Sequence, residues 1–389
     1  MPDSVTTDLP PLTLRGRRAL PVVQGGMGVG VSAHRLAGSV AREGAVGTLS
    51  AVDLRRHHPD LMEATGKSRD KAAIDEANRV ALDREVKAAL AIAGGNGIVA
   101  VNVMRAVTEY SAYVRQSCES GAQAVVVGAG LPLDLPELTA EHPGVALVPI
   151  LSDARGIGIV LKKWMRKNRL PDAIVIEHPG HAGGHLGAAK VEDLHDRRFD
   201  FEVVLEATFK LFRELGLAAE RIPLIVAGGI ATPQRVRELL GLGAAAVQLG
   251  TAFAVTEEGD AHPTFKKVLA EAKPEDIVEF VSVAGLPARA VKTPWLAKYL
   301  EKIPVMERRR KPRTQCTLAF DCLQACGLRD GIAKFGQFCI DLHLAAALEG
   351  NLDRGLFFRG GGRLPFGDRI RPVRELLDYL LAKPEPNPA

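Results

Sequence analysis

One loop of the sequence carries the side chains best suited to chemistry. Residues 172–187 read DAIVIEHPGHAGGHLG, an apolar run that ends at Glu177 and continues into a loop rich in glycine and histidine. The run is short, β-branched and uncharged, which is typical of a buried strand in a parallel sheet. Glycine lets the backbone approach a neighbouring group closely, and an imidazole can accept or donate a proton near neutral pH. We therefore predict that His185 is the catalytic residue.

The histidines of this loop could instead bind a metal ion. His181 and His185 are four residues apart and would share one face of a helix. Pro179 and the neighbouring glycines favour a loop, and no further His, Asp or Glu spacing completes a ligand set. We therefore predict no metal at this loop. His178 is interpreted as a structural histidine, and the role of His181 stays open.

Glycines follow two later apolar runs, a pair in the segment AGGI (227–230) and the single Gly250 in the segment QLGT (248–251). Either segment could simply make a tight turn. In an α/β barrel, however, phosphate groups commonly bind at the loops after the seventh and eighth strands. Main-chain N–H groups, a threonine hydroxyl and the start of a helix near Pro233 would all favour an anion there. The predicted phosphate contacts are Gly228, Gly229, Gly250 and Thr251.

Further candidate contacts follow the first, third and fifth apolar runs. Gly25 and Gly26 expose main-chain atoms that can lie along a flat ring, and Met27 can pack on the face of that ring. Asn102 offers both a donor and an acceptor to the ring edge. Ser152 is either another donor or a helix N-cap. A flat ring together with a phosphate indicates a phosphorylated aromatic cofactor, and FMN fits best.

Eight short apolar runs alternate with segments of helical periodicity and would position these side chains. This alternation predicts a parallel sheet, and eight units match a closed (β/α)8 TIM barrel. A doubly wound open sheet is the alternative, but no G-x-G-x-x-G motif opens the first helix. The predicted strands are Pro21–Gln24, Ala45–Leu49, Ile98–Val103, Ala124–Val127, Val145–Ile150, Ala173–Ile176, Leu224–Ala227 and Ala245–Leu249.

We predict two regions in the chain. Residues 1–255 form the barrel, in which 53–96 are an insertion and a helix after the second strand, and the polar part of the insertion, 53–75, lies on the surface. Residues 256–389 form a smaller, mostly helical lobe that covers the C-terminal face of the barrel and ends in a disordered tail, PEPNPA.

Composition narrows the class of protein. The chain has 389 residues, 47% of them hydrophobic and 5% aromatic, as expected for a soluble α/β enzyme. The 50 basic and 46 acidic residues nearly balance, and the one basic run, at 308–313, lacks interleaved aromatics. No apolar run approaches the ~20 residues that span a bilayer. We predict a cytoplasmic protein that binds neither nucleic acid nor membrane.

Four cysteines cluster near the C-terminal end: Cys316, Cys322, Cys326 and Cys339. Such a group in a cytosolic protein can hold zinc or an iron–sulfur cluster. The spacing lacks the C-x2-C pair of most such sites, and Cys339 stands among apolar residues. We therefore interpret them as buried, unreactive cysteines, with a metal site as the alternative.

The motifs QGGMGVG, VNVM, GHAGGHLG, AGGIAT and QLGTAF, in this order within residues 20–255, resemble the FMN-dependent nitronate monooxygenases, formerly called 2-nitropropane dioxygenases. The resemblance implies a TIM barrel that binds FMN non-covalently and oxidises alkyl nitronates with O2 through a flavin semiquinone. It implies catalysis by His185. The cofactor contacts that it implies are Gly25, Gly26, Met27, Asn102, Gly184, Gly228, Gly229, Gly250 and Thr251.

The sequence departs from the family pattern at two positions. Ser152 stands where many members have lysine, and His181 stands where many have glutamate. We expect Glu177 to orient the loop or to contact the ribityl chain of the cofactor. The expected partners are a small-molecule substrate and O2, with a homodimer possible. The alternatives are an NAD(P)H:quinone reductase or an FMN-dependent enoyl-ACP reductase on the same scaffold, and a non-enzymatic flavin-binding scaffold protein.

Overall fold

The computed structural model describes residues 5–309, 322–332 and 334–383. Two short antiparallel strands, β1 (Leu12–Leu14) and β2 (Arg17–Ala19), precede a closed barrel of eight parallel strands. The barrel strands are β3 (Val22–Gln24), β4 (Val46–Ser50), β5 (Ile98–Met104), β6 (Ala124–Gly128), β7 (Ala146–Leu151), β8 (Ile174–Glu177), β10 (Leu224–Ala227) and β11 (Ala246–Leu249). The predicted TIM barrel is confirmed, and the open-sheet alternative is wrong because β11 pairs with β3.

The barrel buries both faces of its strands, which explains their continuous apolar runs. Along β5, the side chains of Val99, Val101 and Val103 pack in the layer beneath the helices. Ile98 and Ala100 pack in a separate cluster inside the barrel, together with residues of the β1–β2 hairpin. The inner cluster contains many alanines, because a barrel of eight strands leaves room only for small and branched side chains.

Fourteen helices lie within the described residues. They are α1 (His34–Arg42), α2 (Pro59–Thr65), α3 (Lys71–Ala93), α4 (Tyr110–Glu119), α5 (Leu135–Leu138), α6 (Ala154–Met165), α7 (Phe201–Glu214), α8 (Pro233–Gly241), α9 (Thr251–Ala254), α10 (Pro263–Glu271), α11 (Pro294–Arg309), α12 (Gly327–Asp330), α13 (Ile340–Leu348) and α14 (Val373–Leu381). None of these helices is both long and apolar enough to cross a membrane.

The segment that follows β4 is only partly a surface insertion. It contains a 3₁₀ turn, Leu54–His57, and the helix α2. Asp53 and Arg55 are buried, so the prediction of a surface-lying segment is wrong at these positions. Arg55 donates to Asp53 at 2.8 Å, and Arg56 donates to Asp341 of α13 at 2.8 Å. This buried charge network ties the insertion to the C-terminal part of the chain, and burial requires such pairing.

A second, smaller sheet lies beyond the barrel. Its strands are β9 (Gly184–His185), β12 (Ile277–Val281) and β13 (Pro287–Val291), with β13 in the centre and both pairings antiparallel. The loop after barrel strand β8 therefore supplies one strand to a sheet whose other strands come about a hundred residues later. The lobe predicted as mostly helical therefore also contains the strands β12 and β13, and its boundary at residue 255 stays a prediction.

The helix α14 returns to the barrel. It packs against α1 and α8, which is the place of the eighth helix of a (β/α)8 ring. Its buried residues follow helical spacing, namely Val373, Leu376, Leu377, Leu380 and Leu381. Each fully buried leucine stabilises the packing by about 1.5–3 kcal/mol. Residues 250–372 therefore lie between the last barrel strand and the helix that completes the ring.

Candidate active site

A cavity of about 620 Å³ opens at the C-terminal ends of the barrel strands and is covered by residues from beyond β11. Ligand sites of this fold lie at this end of the barrel. All the predicted site residues line the cavity, namely His185, Gly25, Gly26, Met27, Asn102, Ser152, Glu177, Gly184, Gly228, Gly229, Gly250 and Thr251. Their roles as catalytic and cofactor-binding residues stay predictions.

His185 is held by the small sheet rather than by the barrel. Its backbone pairs with Ala288 of β13, and its Nε2 atom lies 3.0 Å from the Oγ atom of Ser282. Phe358 packs edge-on against the imidazole with the ring centroids 5.6 Å apart. Burial lowers the pKa of His185 to about 4. The imidazole is therefore neutral at pH 7, and its Nδ1 atom has no hydrogen-bond partner among the residues that the structure describes.

Ser282 is fully buried, and its Oγ atom accepts a hydrogen bond from Ala284 N at 3.3 Å. A serine hydroxyl that accepts one bond can still donate another. If the hydroxyl donates to Nε2, the proton of the neutral imidazole is on Nδ1. If Nε2–H donates to the hydroxyl, Nδ1 carries the free lone pair. Ser282 can thus be either the hydrogen-bond donor or the hydrogen-bond acceptor of the His185 ring.

The glycine pair after β10 and the Gly250–Thr251 segment after β11 present the donors that an anion site needs. Gly228 and Gly229 have φ of +114° and +71°, which other residues rarely adopt. The N–H groups of Gly228, Gly229 and Gly250 have no acceptor among the described residues. Thr251 Oγ1 accepts a hydrogen bond from Gly360 N at 3.0 Å, and its own hydroxyl proton stays available to a ligand.

The glycines after β3 line the cavity and also allow close packing around it. A Cβ atom on Gly26 would lie 2.3 Å from the Cβ atom of Asn102, so this position must be glycine for Asn102 to take its place. Gly25 N donates to Leu249 O at 2.9 Å and joins the first and last barrel strands. The missing side chain of Gly26 thus makes room for Asn102, while the contact of its main chain with a flat ring stays a prediction.

Polar side chains face the cavity without protein partners. The amide of Asn102, the hydroxyl of Ser152 and the carboxyl of Glu177 have no hydrogen bond to any described residue. Burial raises the pKa of Glu177 to about 7, an effect that the charge of Arg289 partly offsets. The helix-cap alternative for Ser152 is wrong, since Asp153 Oδ1 accepts from Gly156 N at 2.7 Å and caps α6. These groups are available to a polar ligand.

The two other histidines of the loop are packed together, with ring centroids 4.4 Å apart. His178 Nδ1 accepts from Gly180 N at 3.0 Å, and its Nε2 atom lies 3.6 Å from Asp200 Oδ1. Burial lowers the pKa of His178 and brings that of His181 to about 4. In the part of the chain that the structure describes, no three His, Cys, Asp or Glu side chains form a metal-binding group.

The loop between β8 and β9 is packed against residues that the sequence did not single out. A Cβ atom on Gly183 would lie 2.5 Å from the backbone N of Gly360, and one on Gly184 would lie 3.4 Å from Phe358. Arg289 of β13 is buried and donates to the carbonyl oxygens of Pro179, at 3.1 Å, and of Ala182. The glycines therefore admit the C-terminal segment close to this loop.

Sequence reasoning missed Ser282, Arg289, Phe358 and the segment 359–363. Only the last gave a visible signal, because RGGGR places three consecutive glycines between two arginines. Of the cysteines, Cys326 is buried, Cys322 and Cys339 are half-buried, and Cys316 lies outside the described residues. Most of the basic run at 308–313 and the PEPNPA tail also lie outside them.

Solved structures share this architecture. Nitroalkane oxidase from Streptomyces ansochromogenes aligns over 92% of this chain and 94% of its own, with a TM-score of 0.63 and 19% identity. FabK from Thermotoga maritima aligns over 93% of this chain and 91% of its own, with a TM-score of 0.62 and 22% identity. At such identities the likeness shows the fold alone, which is that of the TIM-barrel enzymes.

Sequence comparison then identifies the family. The family model named nitronate monooxygenase matches residues 17–383. A probable nitronate monooxygenase of Bacillus subtilis (strain 168) is 27% identical over 289 residues, which are 71% of this chain and 77% of that protein. The chain belongs to the nitronate monooxygenase family and is an oxidoreductase on a flavin-dependent TIM-barrel scaffold.

Proposed function

We propose that the protein is an FMN-dependent nitronate monooxygenase, which oxidises alkyl nitronates with O2. The observation that carries this proposal is the neutral imidazole of His185, which Ser282 and Phe358 hold at a cavity also lined by the glycine-containing loops after β10 and β11. Family membership supports the reaction class. The choice of FMN, the substrate and the use of O2 are parts of the proposal.

The residues that line the cavity fit a phosphorylated flavin. The free N–H groups of Gly228, Gly229 and Gly250 suit a phosphate, because buried donors require acceptors. The unpartnered side chains of Asn102, Ser152 and Glu177 suit the polar edge of the ring and the ribityl hydroxyls. Bound FMN would accept electrons from the substrate and deliver them to O2.

His185 can assist this chemistry in two ways. With the Ser282 hydroxyl donating to Nε2, Nδ1–H would donate a hydrogen bond to a nitro or nitronate oxygen. With Nε2–H donating to Ser282, the lone pair of Nδ1 would take a proton from the carbon of a neutral nitroalkane. Both roles require an uncharged imidazole, which the lowered pKa provides at neutral pH.

The lining near His185 favours an apolar substrate. Phe358, Leu186 and Leu286 line the cavity in this region, and Leu344 of α13 and Val52 add further apolar surface. A pocket of this kind excludes water and gains affinity from a buried alkyl chain, at about 0.8 kcal/mol for each CH₂ group. We therefore propose alkyl rather than strongly charged nitronates as substrates.

Two measurements on the purified full-length chain test the proposal. Its absorbance spectrum should show bound flavin, and addition of an alkyl nitronate in air should cause consumption of O2. Rapid bleaching of the flavin by NADH without O2, with no turnover of nitronate, would support the reductase alternatives instead. A protein that binds no flavin would refute the proposal. If the protein binds flavin but turns over neither nitronates nor NADH, the scaffold alternative is correct, whereas unchanged nitronate turnover in a flavin-bound His185→Asn variant would refute the role of His185.

A further inference from the structure

The segment Arg359–Arg363, which we call the RGGGR loop, forms a third wall at the predicted phosphate end of the cavity. Gly360 N donates to Thr251 Oγ1 at 3.0 Å, and Gly361 N donates to His181 O at 3.2 Å. A Cβ atom on Gly362 would lie 3.3 Å from the Cα atom of Gly229. The loop therefore contacts the segments after both β10 and β11, at Gly229 and Thr251, although it lies more than a hundred residues away in the sequence.

The two arginines of this loop bring positive charge that no carboxylate balances. Arg359 is 5% exposed, and its guanidinium donates only to carbonyl oxygens, those of Leu269, Gly360 and Gly362. Arg363 is exposed and lines the cavity. Neither forms an ion pair with any residue in the described ranges. A buried cation normally has a counter-charge, so this arrangement indicates an anionic ligand.

Backbone donors add to this charge. Gly362 N, like Gly228 N and Gly229 N, has no acceptor among the described residues. Arg359 binds the carbonyl oxygens of Gly360 and Gly362, which fixes the conformation of the loop. The ring of His181 lies against the same wall, since a Cβ atom on Gly229 would be 2.9 Å from its Cγ atom. Two cationic charges match a phosphate monoester, which carries about −1.5 to −2 at pH 7.

We propose that the RGGGR loop binds the terminal phosphate of the flavin and makes the protein selective for FMN over riboflavin. Arg363 contacts the phosphate, and Arg359 is a positioning residue that holds the loop. This inference rests on the proposed flavin site and specifies which part of the cofactor the C-terminal segment recognises. It also gives the extra histidine of the loop, His181, a place beside the phosphate.

The test compares FMN with riboflavin, which lacks only the phosphate. Quenching of flavin fluorescence gives both dissociation constants for the full chain freed of flavin. Arg363→Gln should weaken FMN binding about tenfold to a hundredfold, the loss expected for one charge-assisted hydrogen bond, and should leave riboflavin binding unchanged. Arg363→Lys, which keeps the positive charge, should weaken FMN binding less than Arg363→Gln does. The matched control is Arg369→Gln, at an exposed arginine that follows the RGGGR loop in the sequence and does not line the cavity.

Two further measurements test whether a change in FMN affinity comes from the phosphate contact. Inorganic phosphate should compete with FMN in the wild type and compete less in Arg363→Gln. Arg359→Lys, checked for folding by its melting temperature, should narrow the difference between FMN and riboflavin. The inference is overturned if Arg363→Gln weakens both flavins equally or neither. Binding of neither flavin by the wild type would refute the proposed function itself, whereas flavin binding with an unchanged FMN-to-riboflavin ratio would refute only the role of the loop.

Discussion

The Nε2 atom of His185 and the Oγ atom of Ser282 lie 3.0 Å apart, although 97 residues separate them in the chain. Ser282 follows strand β12, and His185 belongs to strand β9 of the same small sheet. The candidate catalytic imidazole is therefore oriented by the segment that covers the barrel. A defect in that segment should impair turnover without loss of the barrel itself.

Replacement of Ser282 by alanine tests this orientation. Ser282→Ala removes the only hydrogen bond that the structure shows for the His185 ring, so we expect kcat to fall about tenfold or more. KM should change less, since Ser282 does not line the cavity. Steady-state O2 consumption measures both constants, and Ser282→Thr keeps the hydroxyl as a control. Full activity in a folded alanine variant would contradict the role of Ser282.

The pH dependence of turnover follows from the low pKa of His185, which burial brings to about 4. The imidazole is neutral above this pH and becomes charged as the pH falls through it. We therefore expect the acid limb of kcat/KM to have its midpoint near pH 4 and not near the usual histidine value. Initial rates between pH 3.5 and 7, corrected for protonation of the nitronate, would show this. A midpoint close to 6.5 would mean that the imidazole is solvated during turnover.

Glu177 should make the stability of the folded protein depend on pH between about 4.5 and 7. Burial raises its pKa from 4.5 to about 7, so the folded state binds more protons than the unfolded state between these values. Its favourable contribution is complete below about pH 4.5 and is lost as the pH rises through 7. We therefore compare the variant Glu177→Gln with the wild type at two pH values. The gain in free energy of unfolding from this substitution should be about 1–3 kcal/mol larger at pH 8 than at pH 5.

Urea unfolding of the flavin-free protein at the two pH values measures this difference. Glu63→Gln, at an exposed position with no ion pair to a described residue, is the matched control and should show no such change. Equal pH dependence in wild type and Glu177→Gln would show that the carboxyl is solvated in the empty cavity.

The ion pair between Arg56 and Asp341 joins the insertion after β4 to α13, which also carries the cavity residue Leu344. Arg56→Gln would leave Asp341 and Asp53 as two buried carboxyls with one fewer cation. We expect a loss of about 3–5 kcal/mol of stability, the usual cost of breaking a buried pair. Arg79→Gln, which breaks an exposed pair with Glu76, should cost less than about 1 kcal/mol. Similar losses in both variants by urea unfolding would contradict this expectation.

The contact between Gly183 and the RGGGR loop gives a further prediction. A methyl group at Gly183 would lie 2.5 Å from Gly360 N, so Gly183→Ala must push the two backbones apart. We expect about 1–3 kcal/mol of destabilisation and weaker flavin binding. Gly144→Ala, where nothing lies within 4 Å, is the control and should be neutral. Melting temperatures and flavin titrations would decide, and equal behaviour of the two variants would argue against a tight contact.

The barrel could be predicted from sequence because its signals are local. A parallel strand buried on both faces is a continuous apolar run, and each of the eight predicted runs matches a strand within one residue at either end. The loops after the strands follow directly from this order. The cavity thus brings together Asn102, Glu177 and Gly229 as expected from their places at strand ends.

The cover of the cavity could not be predicted in this way. Ser282 and Phe358 reach His185 through antiparallel pairing and packing across about a hundred residues or more, and an isolated serine or phenylalanine carries no periodic signal. The glycines of the loop between β8 and β9 are visible in the sequence, but the residue that packs against Gly183 is not. A glycine indicates that some neighbour comes close, and it does not indicate which residue that neighbour is. The residues that cover the cavity could not be predicted because their contacts with it are non-local.

The position of α14 also bears on how the chain reaches its fold during synthesis. The strands of the barrel are complete at residue 249, yet the helix that fills the gap between α1 and α8 begins only at residue 373. While the intervening residues leave the ribosome, the nascent barrel exposes an apolar strip where the leucines of α14 will bind. We therefore expect this strip to need protection from aggregation until α14 has been synthesised.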